Sequence, residues 1–265
     1  MKLPSVTVVT PCLNAAATIG ETLESVRSQF YPELEHLVMD GGSTDGTLDI
    51  VRSFGGVRLF SEADSGRAEA ANKGAARATG DVVGWLNADD RYEPGALERV
   101  GRALADRPDA LWVTGYCRII DADGREIRMG VTRYKNWLLR HFSLQLYLTQ
   151  NFVSDPATFV RRPALEQVGQ LDPSFPTAHD YDLWLRLARL GPPLVIEEYL
   201  SAFRMAEGTL SMEGFEGQFR EHAQVARKNA GDRRAAPALN AVLSRAIVAI
   251  YRGLRGSRRM AAARR

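Results

Sequence analysis

Four short, β-branched runs lie within residues 1–110, each followed by a segment with helical signals, and this alternation constrains the fold more than any other feature. The runs are residues 5–10 (SVTVVT), 35–40 (EHLVMD), 57–60 (VRLF) and 81–86 (DVVGWL). Their length and apolar content predict buried strands. Thr18-Ile-Gly-Glu21 has the capping-box spacing and predicts a helix to about Gln29. Further helices are expected over 47–53, over 67–78 with Gly80 as its stop, and from Pro94 at a first helical position to Asp106. Strands alternating with helices at this spacing predict parallel βαβ units.

Beyond Ala110 the alternation weakens. A long strand is expected over 110–120, with Asp121-Ala-Asp-Gly124 as a hairpin turn. Residues 132–149 carry an amphipathic, aromatic-rich helical pattern, and 157–161 reads as a strand. Residues 177–190 predict a helix with Leu183, Leu187 and Leu190 on its buried face, stopped by Gly191-Pro192-Pro193. Two more helices follow, over 214–229 and 238–254. In the second, Leu239, Val242, Leu243, Ala246, Ile247, Ile250 and Leu254 share one face, with Arg245, Arg252 and Arg255 off it.

Two cysteines, Cys12 and Cys117, exclude a disulfide scaffold and a four-cysteine zinc site. No apolar run reaches membrane-spanning or signal-peptide length, so a reducing, cytoplasmic setting is expected. The charge is unevenly shared. Residues 231–265 hold nine arginines against the single acid Asp232, a net of +8, which leaves −6 on the other 230 residues. That acidic body makes a nucleic-acid partner unattractive.

In open α/β sheets ligands bind at the carboxyl ends of the strands. Those ends read Thr10-Pro-Cys-Leu-Asn14, Asp40-Gly-Gly-Ser-Thr-Asp45, Glu62-Ala-Asp64-Ser-Gly66-Arg67 and Asn87-Ala-Asp89-Asp90. Adjacent acids repel unless a cation intervenes, and a hard cation takes one or two carboxylates plus water and phosphate. Asp90 as a helix cap and Asp89 as a turn residue is the alternative. Neither a dinucleotide fingerprint nor a P-loop is present. In His179-Asp180-Tyr-Asp182, Asp180 falls in the first helical turn, as a dipole-stabilised charge or as a general base.

Taken in order, these segments, with Asn72-Lys-Gly74 and Ala78-Thr-Gly-Asp-Val-Val-Gly-Trp-Leu-Asn-Ala-Asp-Asp90, resemble the inverting family 2 glycosyltransferases of the GT-A fold over residues 4–205. The resemblance implies an α/β, Rossmann-like mixed sheet flanked by helices, with a C-terminal helical extension. It divides the chain into a GT-A domain, 1–210 (nucleotide-binding half 1–110, acceptor half 111–210), and a basic helical extension, 211–265. It implies transfer of a sugar from a nucleotide-diphosphate sugar to an acceptor hydroxyl with inversion, in the building of a cell-envelope polysaccharide. By position, Pro11, Leu13 and Asp40 would line the base and ribose. Asp64 and Arg67 would lie near the nucleotide or donor sugar. Asn87 would touch the nucleotide, Asp89 would ligate Mn²⁺ or Mg²⁺, and Asp180 would be the catalytic base.

The chain departs from the family pattern at three places: Gly41 where a second acid is usual, Asn87 for the first acid of Asp-x-Asp, and His179 before the base. It lacks Gln-x-x-Arg-Trp, so single-sugar transfer is expected over processive synthesis. A nucleotidyltransferase would need a glycine-rich basic loop after the first strand, which is missing. A non-catalytic nucleotide-sugar-binding or scaffold protein is the alternative reading. Acceptor contacts are expected between Arg118 and Phe159, with a glycan or lipid-linked acceptor. The apolar stripe and arginines of 231–265 suit peripheral docking on an anionic membrane's inner face, or packing on the body or on a second copy in a homo-oligomer.

Overall fold

The computed structural model describes residues 2–205, 215–233 and 235–262. β1 (Val6–Cys12), β2 (Leu34–Asp40), β3 (Val57–Ser61) and β4 (Val82–Trp85) pair in parallel, in the spatial order β3-β2-β1-β4. The crossovers contain α1 (Ile19–Arg27), α2 (Thr47–Ser53) and α3 (Arg67–Arg77). Short β5 (Arg91–Tyr92) and α4 (Ala96–Asp106) lead into β6 (Trp112–Ile120). Then follow α5 (Met129–Arg140), α6 (Leu144–Tyr147), a 3₁₀ turn at Asp155–Ala157, β7 (Thr158–Arg161), α7 (Arg162–Val168), α8 (His179–Leu190) and β8 (Leu194–Arg204). The eight-stranded sheet runs β3-β2-β1-β4-β7-β6-β8-β5, with β7 antiparallel to both neighbours and β5 antiparallel to β8.

The apolar runs are continuous because both sheet faces are covered. Val6 and Val8 pack with Val100, Leu104 and Phe159 on one side. Val9, Leu37 and Met39 pack with Trp85, Trp112 and Trp184 on the other. Trp112 stacks on Trp184 at 6.0 Å between centroids, and Trp85 meets Trp184 edge-on at 5.9 Å. α3 presses on β1 so closely that a Cβ at Gly74 would lie 2.3 Å from Val9 Cγ1.

Several local expectations are corrected. Thr18 makes no side-chain cap; Glu21 instead turns outward to Arg91 and Arg204, because ion pairs outcompete a backbone amide for its carboxylate. The fourth helix begins at Ala96, since Gly95 before it takes φ +73°. The 132–149 pattern breaks at His141–Ser143 into α5 and α6, where Ser143 caps α6 by accepting from Leu146 N. Leu190 is 42% exposed rather than core. β8 was not expected: its first half, Leu194–Tyr199, is only partly buried and carries Glu197 and Glu198, so it lacks a sheet signature.

α9 (Phe215–Asn229) docks on α8, where Asn229 Nδ2 donates to Asp182 Oδ1 at 2.9 Å. α10 (Ala235–Ala262) packs inward through Ala236, Asn240 and Ser244. Asn240 Nδ2 donates to Leu148 O at 3.1 Å, while Leu239 and Val242 are 48% and 60% exposed. Of the described part of the apolar stripe, Leu239, Val242 and Ala246 face solvent, Leu243 and Ile247 are half-buried, and Asn240 and Ser244 face the body. The side chains of Ile250, Arg252, Leu254 and Arg255, and residues 263–265, lie outside the described residues. Among the described residues no helix is long and apolar enough to cross a membrane.

Candidate active site

Strand register assembles the first group of residues. Cys12 stands opposite Asp40, and Asp40 opposite Ser61, so three strand ends converge on one carboxylate. Asp40 accepts from Ser61 Oγ at 2.7 Å and from the amides of Gly42 and Ser43 at 3.0 and 3.1 Å. Burial pushes the Asp40 carboxyl up, but the hydrogen bonds from Ser43, Ser61 and Gly42 outweigh it and hold the group below the usual range. The neighbouring Cys12 thiol is pushed up to about 12 by burial and by the Asp40 charge, which makes it inert as a nucleophile. Pro11 is buried in β1 and Leu13, just past it, is 58% exposed on the rim.

Asp64 comes up to the backbone of the β2 loop. A Cβ at Gly41 would lie 2.6 Å from Asp64 Oδ2, so a second acid at position 41 is sterically incompatible with this placement. Asp64 Oδ1 accepts from Gly66 N at 2.8 Å, which turns the chain into α3 and sets Arg67 as its first residue.

The end of β4 is held by a residue that sequence reasoning did not select. Arg204, at the end of β8 and 4% exposed, donates from its amide to Asp90 Oδ1 at 2.9 Å and from Nε to Asp89 O at 2.9 Å. Its Nη1 donates to Asp121 O and Ala122 O, and its Nη2 pairs with Glu21. Asn87 Nδ2 donates to Asp90 Oδ2 at 2.9 Å, and Thr22 Oγ1 to Asp90 O at 2.7 Å. Asp90 is thus a fully buried anchor of the loop, not a helix cap. Burial and the Asp89 charge raise its carboxyl well above the ordinary range.

With Asp90 locked, Asp89 is the acid of the pair whose carboxylate takes no hydrogen bond from another described side chain. Burial raises its carboxyl and Arg67 opposes that rise; the hydrogen bond it receives comes from its own amide. Arg67 links this group electrostatically to residues of other elements. Its charge acts on Asp89, Asp90, Asp155 and His179. Its Nε is buried with no hydrogen-bond partner.

Asp180 opens α8 with its Oδ1 accepting from Tyr181 N at 2.7 Å. His179 Nδ1 donates to Phe175 O at 3.2 Å, and burial followed by Arg67 lowers its imidazole. His179 is thus a neutral, buried ring that seats the turn. Asp155, also missed, feels the charges of both Asp180 and Arg67: burial and the Asp180 charge push its carboxyl up to about 7, and Arg67 opposes them. From α5, Lys135 Nζ donates to Ser154 Oγ at 3.0 Å, and burial lowers its ammonium. Asp180 therefore shares its surroundings with Asp155, Lys135 and, through Arg67, Asp89. Asp40 and Asp64 flank the same rim around Cys12, whose thiol senses both charges.

Comparison with known proteins decides the class. The family model described as glycosyl transferase family 2 matches residues 7–169. The chain belongs to glycosyltransferase family 2. As a family 2 transferase it is 29% identical over 215 residues to Bacillus subtilis TuaG, a glycosyltransferase named for teichuronic acid biosynthesis, covering 78% of this chain and 82% of that one. It is 31% identical over 210 residues to a Mycobacterium tuberculosis glycosyltransferase, covering 76% and 75%. Among solved structures, Staphylococcus aureus TarS 1–349 in complex with UDP-GlcNAc superposes with a TM-score of 0.65 at 17% identity, over 83% of this chain and 65% of that one. The Pyrobaculum calidifontis mannosyltransferase PcManGT, in complex with GDP-Man and Mn²⁺, gives 0.65 at 21% identity, over 96% and 81%. These likenesses make the fold GT-A.

Proposed function

We propose that this glycosyltransferase moves one sugar from a nucleoside-diphosphate sugar to an acceptor hydroxyl, with inversion and without processive elongation. The buried Arg67 Nε carries this reading. A guanidinium N–H without an acceptor is costly to bury. Set between Asp89 and the Asp155–Asp180 side, it is satisfied when a diphosphate oxygen of the donor enters the cleft. Pro11, Leu13 and Asp40 line the base and ribose, and Asp64 stands near the donor. Asn87, its amide nitrogen spent on Asp90, offers Oδ1 to a ribose hydroxyl.

Transfer passes through an oxocarbenium-like state, as glycoside hydrolysis does. Asp180 accepts the proton of the incoming hydroxyl on the face opposite the leaving diphosphate. Arg67 holds the leaving group's charge, and the cleft excludes competing water.

Among the described residues no group of three or more His, Cys, Asp or Glu could hold a metal ion unaided. Asp89, buried at its base and free of a side-chain donor, fits a cation that brings phosphate and water as its other ligands. Mn²⁺ or Mg²⁺ bound there would neutralise charge on the leaving diphosphate.

The direct test incubates purified protein with UDP-, GDP-, CDP- and TDP-sugars and Mn²⁺, and measures release of nucleoside diphosphate with and without hydroxyl acceptors. One nucleotide is expected to be released several-fold faster when acceptor is present. Tight nucleotide binding with no release under any condition would return the protein to the non-catalytic reading. The names of TuaG and of a Mycobacterium bovis relative assigned to PGL/p-HBAD biosynthesis suit an envelope glycan or lipid-linked acceptor. The outward-facing Leu239 and Val242 of α10, with exposed Arg245, suit peripheral contact with an anionic membrane.

Asp155 adds a pH signature. Its carboxyl keeps a proton up to about 7 in the folded protein, against an ordinary value of 3.8. Between those values the fold binds more protons than the unfolded chain, so this contribution to stability falls as pH rises. Asp155→Asn is expected to gain roughly 1–2 kcal/mol above pH 7, raising Tm by about 3–6 °C, and to flatten the decline between pH 4 and 7. Calorimetry across that range checks it; an unchanged or lower Tm at pH 8 contradicts it.

A further inference from the structure

The turn that presents Asp180 has no cap of its own. Ala178 stands at the N-cap position of α8 with no side chain to accept the helix's first amides, and Asp180 spends Oδ1 on Tyr181 N. The direction of its other oxygen is then set by the backbone of this turn. That backbone is gripped by α9, which follows the last strand of the sheet. On α9, Glu221, Val225, Lys228 and Asn229 recur at i, i+4, i+7 and i+8 and share one face. Val225 is buried in the same core as Tyr181, Leu183 and Trp184 of α8. Glu221 Oε2 accepts from Thr177 N at 2.8 Å, and Lys228 Nζ donates to Asp172 Oδ2 at 2.8 Å, so the loop entering α8 is held at both ends. Within α8, Asp182 is 0% exposed, and its Oδ1 accepts from Asn229 Nδ2 at 2.9 Å and pairs with Lys228 Nζ at 3.1 Å. The His222 ring meets the Tyr181 ring edge-on at 5.4 Å. Positions 177, 181 and 182 are thus all fixed from one helix, and Asp180 lies among them.

We propose that Glu221 is a positioning residue for Asp180, and that α9 works as a brace on the turn that carries it. Glu221 accepts a backbone N–H one residue ahead of the uncapped start of α8, a task that local side chains perform in most helices. Asn229 and Lys228 hold the same helix one turn further in, through Asp182. A misplacement of about 1 Å at a reacting group costs on the order of 10²-fold in rate. A loosened turn therefore lowers turnover. Donor affinity is spared, because Asp40, Asp64 and Asp89 are carried by the ends of β2, β3 and β4 rather than by α8. The consequence for turnover rests on the base role proposed above; the brace itself does not.

Kinetics and hydrogen exchange on the full chain test it together. Glu221→Ala is expected to lower kcat about 10–100-fold while nucleoside-diphosphate affinity stays within about twofold. Glu221→Gln keeps an oxygen for Thr177 N and is expected to return kcat to within about threefold of wild type, so the acceptor atom is tested apart from the charge. Placed on Asp180→Asn, Glu221→Ala is expected to cost less than about twofold more, because no base remains to be aimed. Amide exchange over residues 176–183 is expected to quicken roughly three- to tenfold in Glu221→Ala and not in Glu221→Gln. Wild-type kcat in Glu221→Ala, a Gln variant no better than the Ala one, or the same loss again on Asp180→Asn would overturn the proposal. If Glu221→Ala does not fold, Glu221→Asp, one methylene short of Thr177, takes its place in each comparison. Asp180→Asn turning over like wild type, with exchange still quickened in Glu221→Ala, would refute the base role and leave the brace standing.

Discussion

Asp180→Asn is expected to bind nucleoside diphosphate as wild type does, within about twofold, and, on the base role proposed above, to lose 10²–10⁴-fold in kcat, the usual worth of a positioned general base. The side chain keeps its size, and an amide oxygen still accepts from Tyr181 N, so the turn that opens α8 is preserved. What is lost is the capacity to take a proton. The substitution also removes the negative charge that helps to raise Asp155, so the Asp155 carboxyl moves down toward its ordinary value. Steady-state kinetics paired with calorimetric nucleotide titration separate the two effects. Turnover at the wild-type rate, or equal losses in affinity and turnover, would remove Asp180 from the role of base.

On the function proposed above, Asp89→Ala is expected to weaken donor binding about 10–100-fold in the presence of Mn²⁺ and to leave it unchanged in chelator, because the carboxylate would act on the nucleotide through the cation. Since no three-ligand group exists among the described residues, Mn²⁺ alone gives no saturable binding to wild type; saturation appears once nucleoside diphosphate is present. The fold itself is not weakened. Asp89 helps to push the buried Asp90 carboxyl upward, and removing that like charge relieves the anchor. An unaltered or slightly higher Tm therefore accompanies the loss. Equal donor affinity in wild type and variant, with Mn²⁺ present, would rule out Asp89 as the ligand.

The parallel half of the fold was legible because its strands are covered on both faces and its helices carry clear boundaries. Val6, Val8 and Val9 declare a buried strand by composition alone. Acids at the ends of those strands could be read as a rim for the same reason. β8 was hidden because its outer half is partly exposed and acidic, so its pairing with β6 depends on a partner some eighty residues earlier. Arg204 and Asp155 share that difficulty. A lone arginine or a Ser-Asp-Pro turn has no local pattern, and each gains meaning only from groups that the topology brings to it. Glu21 shows the converse. Its spacing from Thr18 fits a capping box, but β5 and β8 place two arginines within its reach.

The Arg204 clamp bears on how this molecule comes into being. The loop carrying Asp89 is written early in the chain, yet its fastening arrives with the last strand of the sheet. A ribosome that has released only the portion matched by the family model has made residues 7–169 without that fastening. Until β8 takes its place between β6 and β5, the nascent loop is held by the Asn87 and Thr22 contacts to Asp90, and Arg204 completes the fastening.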